Sequence, residues 1–183
     1  MEKIIAIAVL GSVFAVSAVQ AAGNGTINFS GEVNSQTCNA TVNGATGATA
    51  AVVTLPAVQA NILAAAGNTA GRTQFNVAVT GCAITNPSGA GNVKAYFERG
   101  ANVDGNGRLI NTASGGASNV LLELVDGTSG VVLKVGDASQ NTGNFVAISG
   151  GSATLPYAVR YYATGAATAG AVASSVTYSL IYN

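Results

Sequence analysis

Apolar and polar residues alternate with a period of two in several stretches of this chain. In residues 175–182, Val176, Tyr178, Leu180 and Tyr182 share one phase, and Thr177, Ser179 and Ile181 the other. A period of two puts successive side chains on opposite faces of an extended backbone, so this stretch is expected to be a strand with one face on a core. Phe75, Val77 and Val79 alternate with Gln74, Asn76 and Ala78, and Val93, Ala95 and Phe97 with Lys94, Tyr96 and Glu98. Further strands are expected over 119–126 and 131–135, joined as a hairpin across Asp126-Gly127-Thr128-Ser129-Gly130. Others are expected over 145–148 and over 155–162, with Pro156 near the start, where a missing donor is tolerated. Shorter candidates surround Cys38 and cover 52–55. A helical turn fits 57–66, broken at 67–71, and Asn86-Pro87-Ser88-Gly89 and Asp104-Gly105-Asn106-Gly107 carry turn chemistry. Many short strands, glycine-rich turns and almost no helix predict one all-β domain, a β-sandwich.

The two ends of the pattern differ from its middle. Near the N-terminus, Gly25, Ile27, Phe29, Gly31 and Val33 lie in one phase and Thr26, Asn28, Ser30 and Glu32 in the other, an amphipathic strand with glycines where backbones would approach closely. At the other end, no sequence after Asn183 pairs with the strand over 175–182. An open apolar edge is an aggregation hazard, so a strand from another molecule is expected to close it.

Met1-Glu2-Lys3, an apolar run to about Val16 and small residues ending in Ala21-Ala22 form the three-part pattern of a secretory signal peptide. Cleavage is expected between Ala21 and Ala22, with Ala18 as a second possible site. This divides the chain into a signal peptide (1–21), an N-terminal extension (22–30) and a domain (31–183). Export changes the reading of the two cysteines: in an oxidising compartment Cys38 and Cys82 form one disulfide, and in the cytoplasm they would be two buried thiols.

Composition narrows the function. Only 8% of the 183 residues are charged, against about 25% in an ordinary soluble domain, and seven basic residues balance seven acidic ones. There is no basic footprint for nucleic acid. So few charges leave little to hold copies of the chain apart. Without histidine there is no Ser-His-Asp or Cys-His arrangement and no imidazole metal ligand. Asp104, Asp126 and Asp137 sit in turn sequences, Glu32, Glu98 and Glu123 form no evident pair, and Lys94, Arg99 and Arg160 are expected to be solvated or in isolated ion pairs. No catalytic, cofactor or metal site and no small-molecule substrate is expected, and the chain is not read as an enzyme.

Three stretches carry a resemblance. Residues 25–33 followed by Cys38 are similar to the start of mature chaperone–usher pilins, especially the major subunit of type 1 pili. Residues 155–168 followed by Gly170 resemble the C-terminal part of that family, which carries a glycine fourteen residues from the C-terminus and a penultimate tyrosine, here Gly170 and Tyr182. Gln74-Phe75-Asn76-Val77 leading to Cys82 resembles the run before the family's second cysteine. The resemblance spans the mature chain; Ala169 departs from it, standing where the type 1 sequence has proline. It implies an incomplete immunoglobulin-like β-sandwich lacking its last strand, lent first by a periplasmic chaperone and then, at an outer-membrane usher, by the next subunit. It also implies that Gly25, Ile27 and Phe29 belong to the donated strand, and that Gly170, Val176, Tyr178, Leu180 and Tyr182 belong to the groove that accepts a chaperone or donor strand. The function implied is a structural subunit of an adhesive fimbria at the cell surface, the major rod subunit, with a minor or adaptor pilin or a secreted carbohydrate-binding module as alternatives.

Overall fold

The computed structural model of the chain describes residues 38–46, 51–83 and 91–183. The signal-peptide segment, the stretch carrying Gly25, Ile27 and Phe29, and the turn expected at 86–89 lie outside the described residues.

Ten strands and two short 3-10 turns follow one another along the described chain: β1 (Asn39–Val42), β2 (Ala45–Thr46), a 3-10 turn (Ala60–Leu63), β3 (Thr69–Thr80), β4 (Asn92–Phe97), β5 (Leu109–Ile110), β6 (Val120–Asp126), β7 (Val132–Leu133), a second 3-10 turn (Ala138–Asn141), β8 (Val146–Ala147), β9 (Ala153–Ala163) and β10 (Tyr178–Tyr182). They form two sheets. One has seven strands in the order β2-β1-β3-β9-β6-β5, with β7 also on β6; the other has three, β10-β4-β8. Every named pairing is antiparallel.

The period-two pattern decides which side chains meet between the sheets. Phe75, Val77 and Val79 of β3, Leu155, Tyr157 and Val159 of β9, and Leu122 and Leu124 of β6 are buried from one side. Val93, Ala95 and Phe97 of β4 meet them from the other, and Val176, Tyr178, Leu180 and Tyr182 pack on the same cluster. At its centre the Phe97 and Tyr157 rings stand edge to face, 5.0 Å apart and at 86°. Edge-to-face contact brings the positive rim of one ring to the negative face of the other. Cys38 and Cys82 are joined by a disulfide across 44 residues.

Several local features depart from the sequence reading. The expected break at 67–71 is only partly a break, because β3 already begins at Thr69. It absorbs the irregularity between Ala70 and Thr73 in its pairing with β9. Gly71 makes this possible: its φ is +63°, and a Cβ there would lie 2.8 Å from the Tyr161 ring. Residues 52–55, expected as a strand, belong to no ladder. Lys94 is buried rather than solvated, at 4% exposure. Its ammonium donates to the Thr142 carbonyl (2.9 Å) and lies 5.5 Å from the Phe145 ring. Burial holds its pKa below the usual lysine range, and the nearby Asp126 charge offsets part of that.

Arg160 is in an ion pair, but not an isolated one. Glu123, 2% exposed, accepts from Arg160 Nη2 at 2.6 Å and from Arg108 Nε at 3.1 Å, and the Arg108 guanidinium lies 3.7 Å from the centre of the Tyr162 ring. In the β6–β7 hairpin, Asp126 Oδ1 accepts from the Thr128 and Ser129 amides, the Ser129 hydroxyl and the Asn144 amide. Burial pushes this carboxyl up, and the hydrogen bonds outweigh it and hold the pKa below the ordinary value.

Candidate functional site: the open flank of the last strand

The geometry at the end of the chain follows from one antiparallel register. Tyr178 pairs with Phe97, Leu180 with Ala95 and Tyr182 with Val93. Asn183 and Asn92 exchange both backbone hydrogen bonds, at 3.0 and 2.9 Å, and the Glu98 amide donates to the Thr177 carbonyl at 2.9 Å. Hydrogen-bonded pairs alternate along an antiparallel ladder. The odd-numbered residues of β10 therefore spend their backbone groups on β4, and Tyr178, Leu180 and Tyr182 turn theirs to the opposite flank. Among the described residues no strand pairs with that flank.

The same phase continues upstream, through residues 171–177. The Ala171 and Ala173 carbonyls accept from the Ala117 and Thr112 amides at 2.9 and 2.8 Å. The Ala173 amide donates to Asn111 Oδ1 at 3.0 Å. Odd residues again face the body of the domain through their backbones, and Val172 and Val176 pack their side chains onto the core.

Opposite this flank, across the cleft, runs the segment 51–58, which belongs to no ladder. Val53 and Leu55 pack inward, and Val52 is 79% exposed. Between the two segments lies a cleft of about 490 Å³. Its walls include Val53 and Leu55 on one side and Ser174, Val176 and Tyr178 on the other. Its floor is core: Phe75, Val77, Leu122, Leu124 and Val159. A second hollow of about 310 Å³ shares Leu55 with it and is lined by Leu63, Tyr161, Gly170 and Val172. The cleft is thus an unroofed part of the hydrophobic core, flanked by unpaired backbone.

The structure distributes the sequence-derived groove residues along this line. Val176 and Tyr178 line the cleft, and Gly170 lines the second hollow. A Cβ at Gly170 would lie 2.5 Å from the Ala117 amide nitrogen, so only glycine lets the chain turn so closely over residues 116–117. Leu180 and Tyr182 do not line the cleft and pack on the core beyond its end. Burial raises the pKa of the Tyr182 hydroxyl, opposed by a hydrogen bond from the Cys38 backbone. That bond places the disulfide-bearing chain beside the last strand. Burial likewise raises the pKa of Tyr178.

Two parts of the site escape the sequence reading. Segment 51–58 forms the second wall, a role only its apolar phase at Ala51, Val53 and Leu55 hints at. Ser174 carries the one buried side-chain oxygen without a hydrogen-bond partner among the described residues. Nothing in the sequence marks it, because its small polar side chain reads as surface.

This arrangement, a row of backbone amides and carbonyls that no described strand pairs beside an apolar cleft, is one to which an extended strand can add. Known proteins of similar sequence are fimbrial subunits. The family described as FimA, type-1 fimbrial protein A, matches residues 55–183. The F17 fimbrial protein of Escherichia coli is 42% identical over 170 residues, 92% of either chain. The major fimbrial subunit SMF-1 of Stenotrophomonas maltophilia is 44% identical over 169 residues, covering 88% of this chain and 94% of that one. Among solved structures, the P pilus rod subunit PapA superposes with a TM-score of 0.59 at 18% identity, over 80% of this chain and 99% of its own, which speaks to the immunoglobulin-like fold alone. With such a match over most of its length, the chain belongs to the type-1 fimbrial protein family and is a structural fimbrial subunit.

Proposed function

We propose that this subunit polymerises by donor-strand exchange, with residues 22–30 of one copy entering the cleft of the next. Ile27 and Phe29 would enter the apolar cleft, Gly25 would permit close backbone approach, and the main chain would pair with the free flank of residues 172–182. The observation that carries this reading is the open flank of β10 above an unroofed core. Exposed edges of this kind invite pairing, and strand lending between chaperones and pilins is a known instance of strand addition. On this reading, export begins with cleavage between Ala21 and Ala22, a periplasmic chaperone fills the cleft first, an outer-membrane usher oversees the exchange, and the polymer is a surface fimbria. We assign the chain to the major rod position, supported by its 44% identity to a relative named as a major fimbrial subunit.

The test uses residues 22–183 with the disulfide formed, carrying Ile27→Asp and Phe29→Asp so that the chain cannot donate. A peptide of residues 22–30 should raise its thermal midpoint by about 10 °C or more, the order expected when about 3–5 kcal/mol of binding free energy is added to a domain this size. The same peptide with both aspartates should not. A chain equally stable with and without the unmodified peptide refutes the reading.

A further inference from the structure

Residues 170–177 lead into the last strand without belonging to a ladder, so something other than strand pairing fixes their course. Much of it comes from one side chain, Asn111, just after β5. Its Nδ2 donates to the Ala171 carbonyl at 3.1 Å and to the Ala117 carbonyl at 3.0 Å. Its Oδ1 accepts from the Ala173 amide at 3.0 Å and from the Ala113 amide at 3.1 Å. An asparagine carboxamide offers two donors and two acceptor positions, and all four are used here. The bonds to Ala113 and Ala117 fix the side chain within its own loop. Those to Ala171 and Ala173 carry its position over to the chain beside the cleft. The Thr112 amide and hydroxyl add bonds to the Ala173 carbonyl at 2.8 and 3.1 Å.

These bonds select alternate residues. Ala171 and Ala173 are tied down, whereas Val172 and Ser174 make no backbone hydrogen bond among the described residues. Val172 lines the second hollow and Ser174 the cleft. Without the Asn111 side chain, the Ala171 and Ala173 carbonyls would keep the Ala117 and Thr112 amides, and the Ala173 amide would lose its partner. The segment would loosen without detaching. Asn119 provides the contrast. It pins the same connection farther back, donating from Nδ2 to the Ala166 carbonyl at 2.9 Å, and Ala166 lines neither hollow.

We infer that Asn111 is a positioning residue for strand addition: it holds residues 171–173 so that the free backbone of Val172 and Ser174 is already in place when a strand enters the cleft. This inference rests on the strand-exchange reading above, and the occupant is residues 22–30 of a second copy. A wall ordered in advance spares the incoming strand the entropy of ordering it, which appears directly as affinity.

The experiment uses the non-donating chain of the preceding test and the peptide of residues 22–30, titrated calorimetrically at pH 7 where every chain is folded. Asn111→Ala removes all four bonds. Asn111→Asp keeps the acceptor but sets a second oxygen against the Ala117 and Ala171 carbonyls. Both should weaken peptide binding about tenfold or more, and Asn119→Ala should stay within about twofold of the parent chain, whatever its thermal midpoint. In the peptide-free Asn111→Ala chain, amide exchange should quicken over residues 172–176 and stay unchanged in β3 and β9. Unchanged affinity in both Asn111 variants, an equal loss in Asn119→Ala, or failure of both Asn111 variants to fold makes the role a general structural one and overturns the inference, leaving strand exchange standing. No binding of the peptide to the chain with Asn111 intact overturns strand exchange itself, and the inference with it.

Discussion

The three-stranded sheet has two flanks, and they are treated in opposite ways. On the β8 side, β8 pairs only with Asn92 and Val93. Ala95 and Phe97 would otherwise carry bare backbone. Instead the Tyr157 hydroxyl accepts from the Ala95 amide at 2.9 Å. The Gln140 side chain accepts from the Phe97 amide and donates to its carbonyl, both at 3.0 Å, and the Gly136 amide adds a second bond to that carbonyl. On the β10 side no side chain of the described residues does the same for Tyr178 or Leu180. A sheet edge left bare is a liability unless it is meant to pair. The sealed flank shows that this fold can cover β-sheet backbone with two buried side chains. The open flank is therefore informative: it coincides with the cleft and with the apolar phase of the last strand.

The comparison can be broken in several ways, and the largest effect is expected at the end of the cleft, where the Cys38 backbone bonds to the Tyr182 hydroxyl. Opening the disulfide with Cys82→Ala removes a cross-link spanning 44 residues, worth about 4 kcal/mol on the chain-entropy account. A fall of that order in urea-derived stability is expected, with peptide binding impaired alongside it. Breaking the sealed flank comes next. Gln140, 2% exposed, supplies both of its bonds to Phe97, and Gln140→Ala strands the Phe97 amide at a cost of about 2 kcal/mol. The decisive readout is qualitative: light scattering should reveal association that a saturating donor peptide does not suppress, because the new edge lies on the other side of the sheet.

Tyr157 sharpens the contrast through pH, with the smallest effect. Burial, helped by the Asp126 charge and opposed by the Ala95 amide, pushes its pKa from 10.0 up to about 12. A phenol whose folded pKa is raised contributes stability that is intact below pH 10. That stability is lost between pH 10 and about 12, because the unfolded chain releases the proton first. The slope in this window is at most about 1.4 kcal/mol per pH unit. Tyr157→Phe should lower stability at pH 7 by about 1 kcal/mol by leaving the Ala95 amide unpaired, and should flatten the alkaline slope. An unchanged slope would mean that the ring opens before it titrates.

Much of this molecule is legible from alternation alone. The faces of β3, β4 and β10, the β6–β7 hairpin and the turn at Asp104–Gly107 follow from rules that act over a few residues, where a side chain's direction is fixed by backbone period. Alternation puts Lys94 on the outer phase, and only the loop around Thr142 and Phe145, distant in sequence, covers it. The strand expected at 52–55 formed no ladder because a ladder needs a neighbour, and period says nothing about neighbours.

Local period and residue chemistry are enough to set the composition of the two faces, the all-β class and the apolar phase of the last strand. Tertiary structure alone decided which flanks are covered. Tyr157 and Gln140 reach β4 from 62 and 43 positions away. The second wall of the cleft comes from a segment more than a hundred residues before the last strand. Whether a backbone amide is paired, or Ser174 is left without a partner, is set by what arrives across the core.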